Sequence, residues 1–284
     1  MKKVIINADD LALSEGTNTG IINAIKDGIV SSTSIMACGD AFEHAISLLK
    51  ENNFSGLVGV HLVLDEEKPL LSPADISTIV NDKGLFLSRG ELLKNLLVFK
   101  KINLDHIRSE FRAQIQKIID SGIKPSHLDG HGHVHVYPGI NKIIIELANE
   151  FNIKKIRLPA ESYFYFDLKN FKLKKYINKL IVTTFSLLSK RLFKKSGLIY
   201  PAGFMGMLFG GNLNTSNLKK ILSSIPSAEN FEIMSHPGIS DLQRSDKYKH
   251  WNYKWENEFN ALTSMDKNQL SQKYNLEIIS FNDL

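Results

Sequence analysis

Seven short apolar runs punctuate the chain, with room between most of them for a helix or a long loop. They are VIINA (4–8), TSIMA (33–37), GLVGVHL (56–62), PSHLDG (125–130), KKIRLP (154–159), FEIMSH (231–236) and LEIISF (276–281). Short runs of this kind, rich in Val, Ile and Leu, read as strands buried on both faces. Helical patterns lie between most of them: Ser14 to Lys26 opens on a serine suited to capping, and Asp105 to Asp120 and Ile140 to Phe151 place apolar residues at helical spacing. Strands that alternate with helices build a parallel sheet, open or closed into a barrel. The expected class is therefore α/β. With 284 residues, 43% of them hydrophobic, and no repeat or low-complexity linker, one domain spanning 1–284 is expected. Two stretches, about 64–100 and about 160–215, break the alternation and are expected as insertions around the mouth of the site.

The ends of these runs are polar in a consistent way. They finish in, or lead into, Asp9-Asp10, His61, the Asp129/His131 cluster, Arg157 and His236. In parallel α/β sheets, ligands and catalytic groups gather at the carboxyl ends of strands, so residues distant in sequence can meet at one face. Successive residues of an extended strand point to opposite faces, so Asp9 and Asp10 would take different tasks, one binding a metal and the other acting as base across a turn. A pair of acids capping the helix of 14–26 is the structural alternative. His61, inside GVHLVL, must find a hydrogen-bond partner or bind something. HLDGHGHVH places His127, Asp129, His131, His133 and His135 at alternating positions, which an extended segment would put on one face. That density, inside an ordered α/β pattern, points to a metal or catalytic role. A hydrolytic metal site needs three protein ligands and an open position. Cys38 is the only cysteine, which excludes an intramolecular disulfide and a Cys-rich zinc site and fits a reducing cytoplasm. His236 is followed by Pro237 and Gly238, which halt the strand and leave the imidazole at a turn, as a general acid or as a structural turn histidine.

Net charge is +5, yet nine Lys or Arg residues and no acid lie between Lys169 and Lys195, so the rest of the chain is net negative. Within that segment basic residues flank LIVTTFSLLS, an uncharged run too short to span a bilayer. The segment is read either as a peripheral contact with the inner membrane face or as a lid helix burying its apolar face on the barrel. A nucleic-acid surface is not expected, because aromatic stacking residues are not interleaved through the patch. The apolar stretch at the N-terminus is too short for a signal-peptide core. A homodimer stays open.

The segments IINADD (5–10), GIINAIKDGIVSST (20–33), VGVHLVL (58–64), KPSHLDGHGHVHVYPGI (124–140), IRLPAE (156–161) and MSHPG (234–238) occur in the order found in the YdjC/ChbG/HpnK group of carbohydrate deacetylases, which the sequence resembles over most of its length. The resemblance implies a deformed, TIM-barrel-like (β/α) barrel. It also implies an enzyme that hydrolyses the acetamide of an N-acetylated amino sugar, on an oligosaccharide or a glycolipid, with one divalent ion, zinc or magnesium. Carried over by position, it makes Asp10, His61 and His131 the metal ligands, Asp9 the general base and His236 the general acid. His127, Asp129, His133 and Arg157 would contact substrate or orient the ligands. Leu11-Ala12 departs from the Phe-Gly common in the group. A metal-dependent phosphoesterase, and a non-catalytic sugar- or metal-binding protein, are the competing readings of the same residues.

Overall fold

The first apolar run becomes the axis of the sheet. In the computed structural model, which describes residues 1–162, 173–226 and 230–284 and only the backbone of 243–245, strand β1 (Lys2–Leu11) is buried from Val4 onward. It is joined by β2 (Ser32–Ile35), β3 (Val58–Leu62), β4 (Leu128–Gly130), β5 (Gly203–Met205), β6 (Asn230–Ser235) and β7 (Leu276–Ile278). Every pairing between these strands is parallel, in the order β4-β3-β2-β1-β6-β5, with β7 on the first residues of β1. Burial on both faces explains why these strands read as near-continuous apolar runs.

The run KKIRLP does not form a full strand. It contributes single parallel bridges, Leu128 with Ile156 and Lys155 with Ile199, while backbone hydrogen bonds tie Arg157 to β4 and Ile156 to Ile199. Pro159 has no N–H to extend the ladder. The sheet therefore curls past β4 through a stave of a few residues, and the result is a deformed barrel of parallel strands surrounded by helices.

The helices are α1 (Glu15–Lys26), α2 (Phe42–Glu51), α3 (Arg89–Leu93), α4 (Leu104–Asp120), α5 (Ile140–Glu150), α6 (Leu173–Lys195), α7 (Thr215–Ser224), α8 (Leu242–Lys247), α9 (Trp255–Thr263) and α10 (Lys267–Tyr274). Ser14 caps α1 by accepting from the Thr17 N–H at 3.2 Å. Helices α1, α4 and α5 fall where apolar spacing puts them.

The 64–100 stretch carries α3 and, behind it, a π-helical turn at Lys94–Val98. The second long stretch holds α6 and β5. Lys169 and Lys172, at the start of its basic segment, lie outside the described residues. Helix α6 buries only part of its apolar side chains on the barrel. The side it turns inward holds Tyr176, Lys179, Val182, Thr183, Ser186, Ser189 and Phe193. Polar groups there are matched: Thr183 donates to the Glu161 carbonyl at 3.1 Å, Ser189 to the Val136 carbonyl at 3.1 Å, and Asn141 to Ser189 at 2.9 Å. Among the described residues no helix is long and apolar enough to cross a membrane.

Beneath α6 the carboxylate of Glu161 accepts from the Met207 N–H at 3.0 Å. Burial pushes its pKa up to about 7, against the opposing pull of Lys179. The folded state then binds a proton that the unfolded state releases near 4.5, so this group's contribution to stability falls as pH rises from about 4.5 to 7. A move of that size corresponds to about 3 kcal/mol. Glu161→Gln should lack that decline, which urea unfolding of the variant and the parent at pH 5 and pH 8 would reveal as a stability difference shifting in the variant's favour at the higher pH.

Candidate active site and metal centre

The carboxyl ends of β1, β3, β4 and β6 converge on one pocket, and β1 reaches it by a bend. The β1–β2 register shifts between Ala8 and Leu11, and Asp10 and Ala12 take positive φ of 66° and 81°. The strict alternation expected of an extended Asp9-Asp10 pair is broken there, and both carboxylates approach His61. Asn18 holds the bend by accepting from the Ala12 N–H at 2.7 Å, and the Ala41 N–H donates to the Ala12 carbonyl.

Asp10, His61 and His131 are all buried and offer ligand atoms within 4.8 Å of one another. Asp10 Oδ1 lies 3.2 Å from His61 Nε2 and 3.0 Å from His131 Nδ1, while its Oδ2 is buried with no hydrogen-bond partner. On its other side His61 Nδ1 meets Asp129 Oδ1 at 2.8 Å. A ring that donates from Nδ1 to a carboxylate turns the Nε2 lone pair toward Asp10, so two acceptors face each other unless a proton or a cation lies between them. Burial alone would lower the His61 pKa, but Asp129 and Asp10 outweigh it and raise it to about 10. Desolvation likewise opposes, and His131 and His61 overcome it, in holding Asp10 well below the usual carboxylate range. One carboxylate and two imidazoles, with an orphaned carboxylate oxygen, fit a divalent cation.

A second buried group, Asp9, His61 and Asp129, is also compact enough to hold an ion. Its acids are already engaged. Arg157, fully buried, sends NH1 to Asp9 Oδ2 and NH2 to Asp9 Oδ1, both at 2.6 Å, and NH1 to Asp129 Oδ2 at 3.0 Å; its Nε donates to Glu232 Oε1 at 2.7 Å. Ser34 adds a 2.8 Å hydrogen bond to Asp129 Oδ2. Bidentate pairing to a guanidinium leaves Asp9 oriented rather than free to coordinate. The Asp10 set is the better cation site.

The histidine-rich run does not lie extended. Gly132 and His133 adopt left-handed φ of 55° and 62°, and Gly132 is the residue that permits the turn. Its side chains consequently diverge. His131 faces Asp10 and stacks on Trp251, with ring centroids 5.2 Å apart; His133 sits on the pocket wall beside Phe204; His135 points to the Arg157 carbonyl, 3.2 Å away. His127 lies deeper, 0% exposed and stacked on Phe281 at 3.6 Å, in a space that exists because position 59 is glycine: a Cβ there would come within 2.3 Å of the ring. Burial lowers the His127 pKa to about 3 and holds His133 well below its ordinary value, so both stay neutral at physiological pH.

His236, at the end of β6, also lines the pocket. Its Nε2 lies 4.0 Å from Asp10 Oδ2, its backbone N–H donates to Glu258 at 2.6 Å, and its Nδ1 lies 3.9 Å from the same carboxylate. Sequence reasoning missed several of the remaining lining residues. Arg89, from the first long stretch, packs its guanidinium over Gly132 and donates from Nε to Asp65 at 2.8 Å. Lys175 and Asn178 enter from α6, and Met207 and Tyr253 from the loops around β5 and α9. No strand-end pattern marks these residues; the lone arginine within the first long stretch was the available signal for Arg89.

The model of the YdjC-like protein family matches residues 3–273. A carbohydrate deacetylase of Clostridium beijerinckii is 34% identical over 286 residues, covering 99% of this chain and 100% of that protein. One from Thermoanaerobacter pseudethanolicus is 30% identical over 284 residues, covering each chain in full. Among solved structures, an Enterococcus faecalis protein named for cellobiose-phosphate cleavage superposes with a TM-score of 0.77 at 22% identity, over 99% of this chain and 98% of its own. The shared fold and the extent of the sequence match lead to one conclusion: the chain belongs to the YdjC-like family.

Proposed function

We propose that this chain is a metal-dependent carbohydrate deacetylase that hydrolyses the acetamide of an N-acetylated amino sugar and releases acetate. The observation that carries this reading is the pocket in which a buried Asp-His-His set with an orphaned carboxylate oxygen lies beside an arginine-held carboxylate on one side and a histidine on the other. The names of the curated relatives point to the same substrate class.

Asp10, His61 and His131 would hold the ion, zinc or magnesium, and Asp129 orients His61 through Nδ1. A divalent cation there supplies Lewis acidity, acidifying a water and polarising an acyl carbonyl. Asp9, aimed by the bidentate contact with Arg157, takes the proton from the attacking water. His236, across the pocket with its Nδ1 3.9 Å from the Glu258 carboxylate, gives a proton to the departing amine. His133 stays neutral and presents a ring nitrogen toward the substrate. Tyr253, whose phenol burial keeps protonated, adds a donor on the same wall.

The phosphoesterase reading wants a second cation close by. The other compact acid-histidine group is the one Arg157 already occupies, which favours acyl chemistry with one ion. The test is acetate release from diacetylchitobiose and from an N-acetylglucosaminyl lipid, using chelator-treated protein with and without zinc or magnesium. Release that vanishes on chelation and returns with metal is expected from at least one substrate. Absence of release from both, with metal demonstrably bound, would refute the deacetylase reading.

A further inference from the structure

Helix α6 is apolar on its outside. Its inward side mixes Tyr176, Val182 and Phe193 with Lys179, Thr183, Ser186 and Ser189, whereas its outward side carries Leu173, Ile177, Leu180, Ile181, Leu187 and Leu188, between 37% and 63% exposed. At 100° per residue these six side chains fall within an arc of about 120°, a stripe roughly 22 Å long broken only by Thr184. A helix that only covered the barrel would have the opposite polarity. Contiguous exposed apolar surface on this scale marks an interaction site.

Two further observations say what covers it. The stripe is fringed by exposed Lys174, Lys190, Arg191, Lys194 and Lys195, and α6 contains no acid. A second exposed apolar group, Leu97, Val98 and Phe99, projects from the tip of the first long stretch, with Lys94 and Lys101 amines 5.0 and 5.3 Å from the Phe99 ring and Lys100 beside it. Residues next to both patches pack on the segment just after the turn that carries His131. Leu104, just after the tip, packs over Gly139, and Phe185 of α6 lies on Tyr137 with centroids 5.7 Å apart. Apolar side chains ringed by cations match a bilayer surface with anionic headgroups. A second copy fits less well, since a two-fold contact would set the same lysines face to face.

We propose that α6 and the 97–99 tip together form a docking surface for an anionic lipid bilayer, seated on its headgroup region. Because the inward side of α6 also supplies Lys175 and Asn178 to the active-site pocket, docking sets the pocket mouth beside the headgroups. The surface stands independently of which acyl sugar the pocket accepts.

The test is flotation of the full chain with vesicles of phosphatidylcholine containing phosphatidylglycerol, against vesicles of phosphatidylcholine alone. The wild type is expected to float with the anionic vesicles only. A variant with Leu180→Ser, Leu187→Ser and Leu188→Ser should lose partitioning at least about ten-fold. Another with Lys174→Gln, Lys190→Gln, Lys194→Gln and Lys195→Gln should lose it about 100-fold. All of these positions are exposed, so melting temperature should be retained, and quenching of Leu188→Trp by brominated lipid reads insertion directly. No flotation with anionic vesicles, flotation indifferent to both variants, or a wild-type dimer that the leucine variant splits into monomers would overturn the proposal.

Discussion

Asp10→Asn and His131→Ala are expected to leave a folded protein that no longer retains zinc after desalting, with acetate release falling to background. Asp9→Asn should keep the metal and still lose about 10²- to 10⁴-fold in kcat, the usual range for a positioned proton acceptor. Asparagine is chosen at position 10 because it tolerates the left-handed backbone found there, with φ of 66°, so that loss of metal is not confused with loss of the bend. The two outcomes differ because the carboxylates do different things. Asp10 presents an oxygen with no protein partner to the cluster of His61 and His131, whereas both oxygens of Asp9 are committed to Arg157. Metal content by elemental analysis, measured beside acetate release, separates them. Full activity in Asp9→Asn would remove Asp9 from the proton-transfer role, and a metal-free Asp9→Asn protein would make it a ligand.

The second large effect is on stability. Among the described residues Arg157 is the single guanidinium beside three buried carboxylates, those of Asp9, Asp129 and Glu232. Arg157→Met fills similar volume but leaves those acids without their cation, and breaking a buried ion pair in this way costs about 3–5 kcal/mol. For a chain of this size the melting temperature should drop by about 10 °C. The deficit should also depend on pH. Burial already raises Glu232 to about 7 despite the arginine. Removing the cation raises Glu232 further and takes away the largest influence holding Asp129 down, so the variant's folded state holds protons that the wild type's does not, and the deficit relative to wild type should grow as pH rises above about 5. Urea unfolding of both proteins at pH 5 and pH 8 measures it. An equal deficit at the two pH values would mean that Arg157 stabilises through packing alone.

The residues that bring these effects together differ in how far they could be read in advance. His61, Asp129, His131 and His236 follow from one rule, that parallel strands deliver chemistry at their carboxyl ends, and the apolar runs that identify the strands also locate the side chains. The bend at Asp10 follows from no such rule. The sequence DDLA holds no glycine, and the only hint is that the related group commonly carries glycine where Ala12 takes φ of 81°. The histidine run misleads because alternation in sequence implies one face only if the backbone stays extended, and Gly132 ends that. Arg89 and Tyr253 sit in loops whose approach to the pocket depends on the whole barrel. Helix α6 shows a different limit: amphipathic spacing reveals that one side is apolar, but not whether that side meets the core or the outside.

The bend at the end of β1 has a consequence for how the site would take up an ion. Holding Asp10 and Ala12 in left-handed conformations costs about 1–2 kcal/mol each, and that cost falls on folding, since α1 and α2 clamp the bend through Asn18 and the Ala41 amide. A cation bound by Asp10, His61 and His131 would then have no loop to gather around itself. It would meet ligands whose places are already set, so metal uptake by the native protein should be a single fast phase, while uptake during refolding waits for the chain.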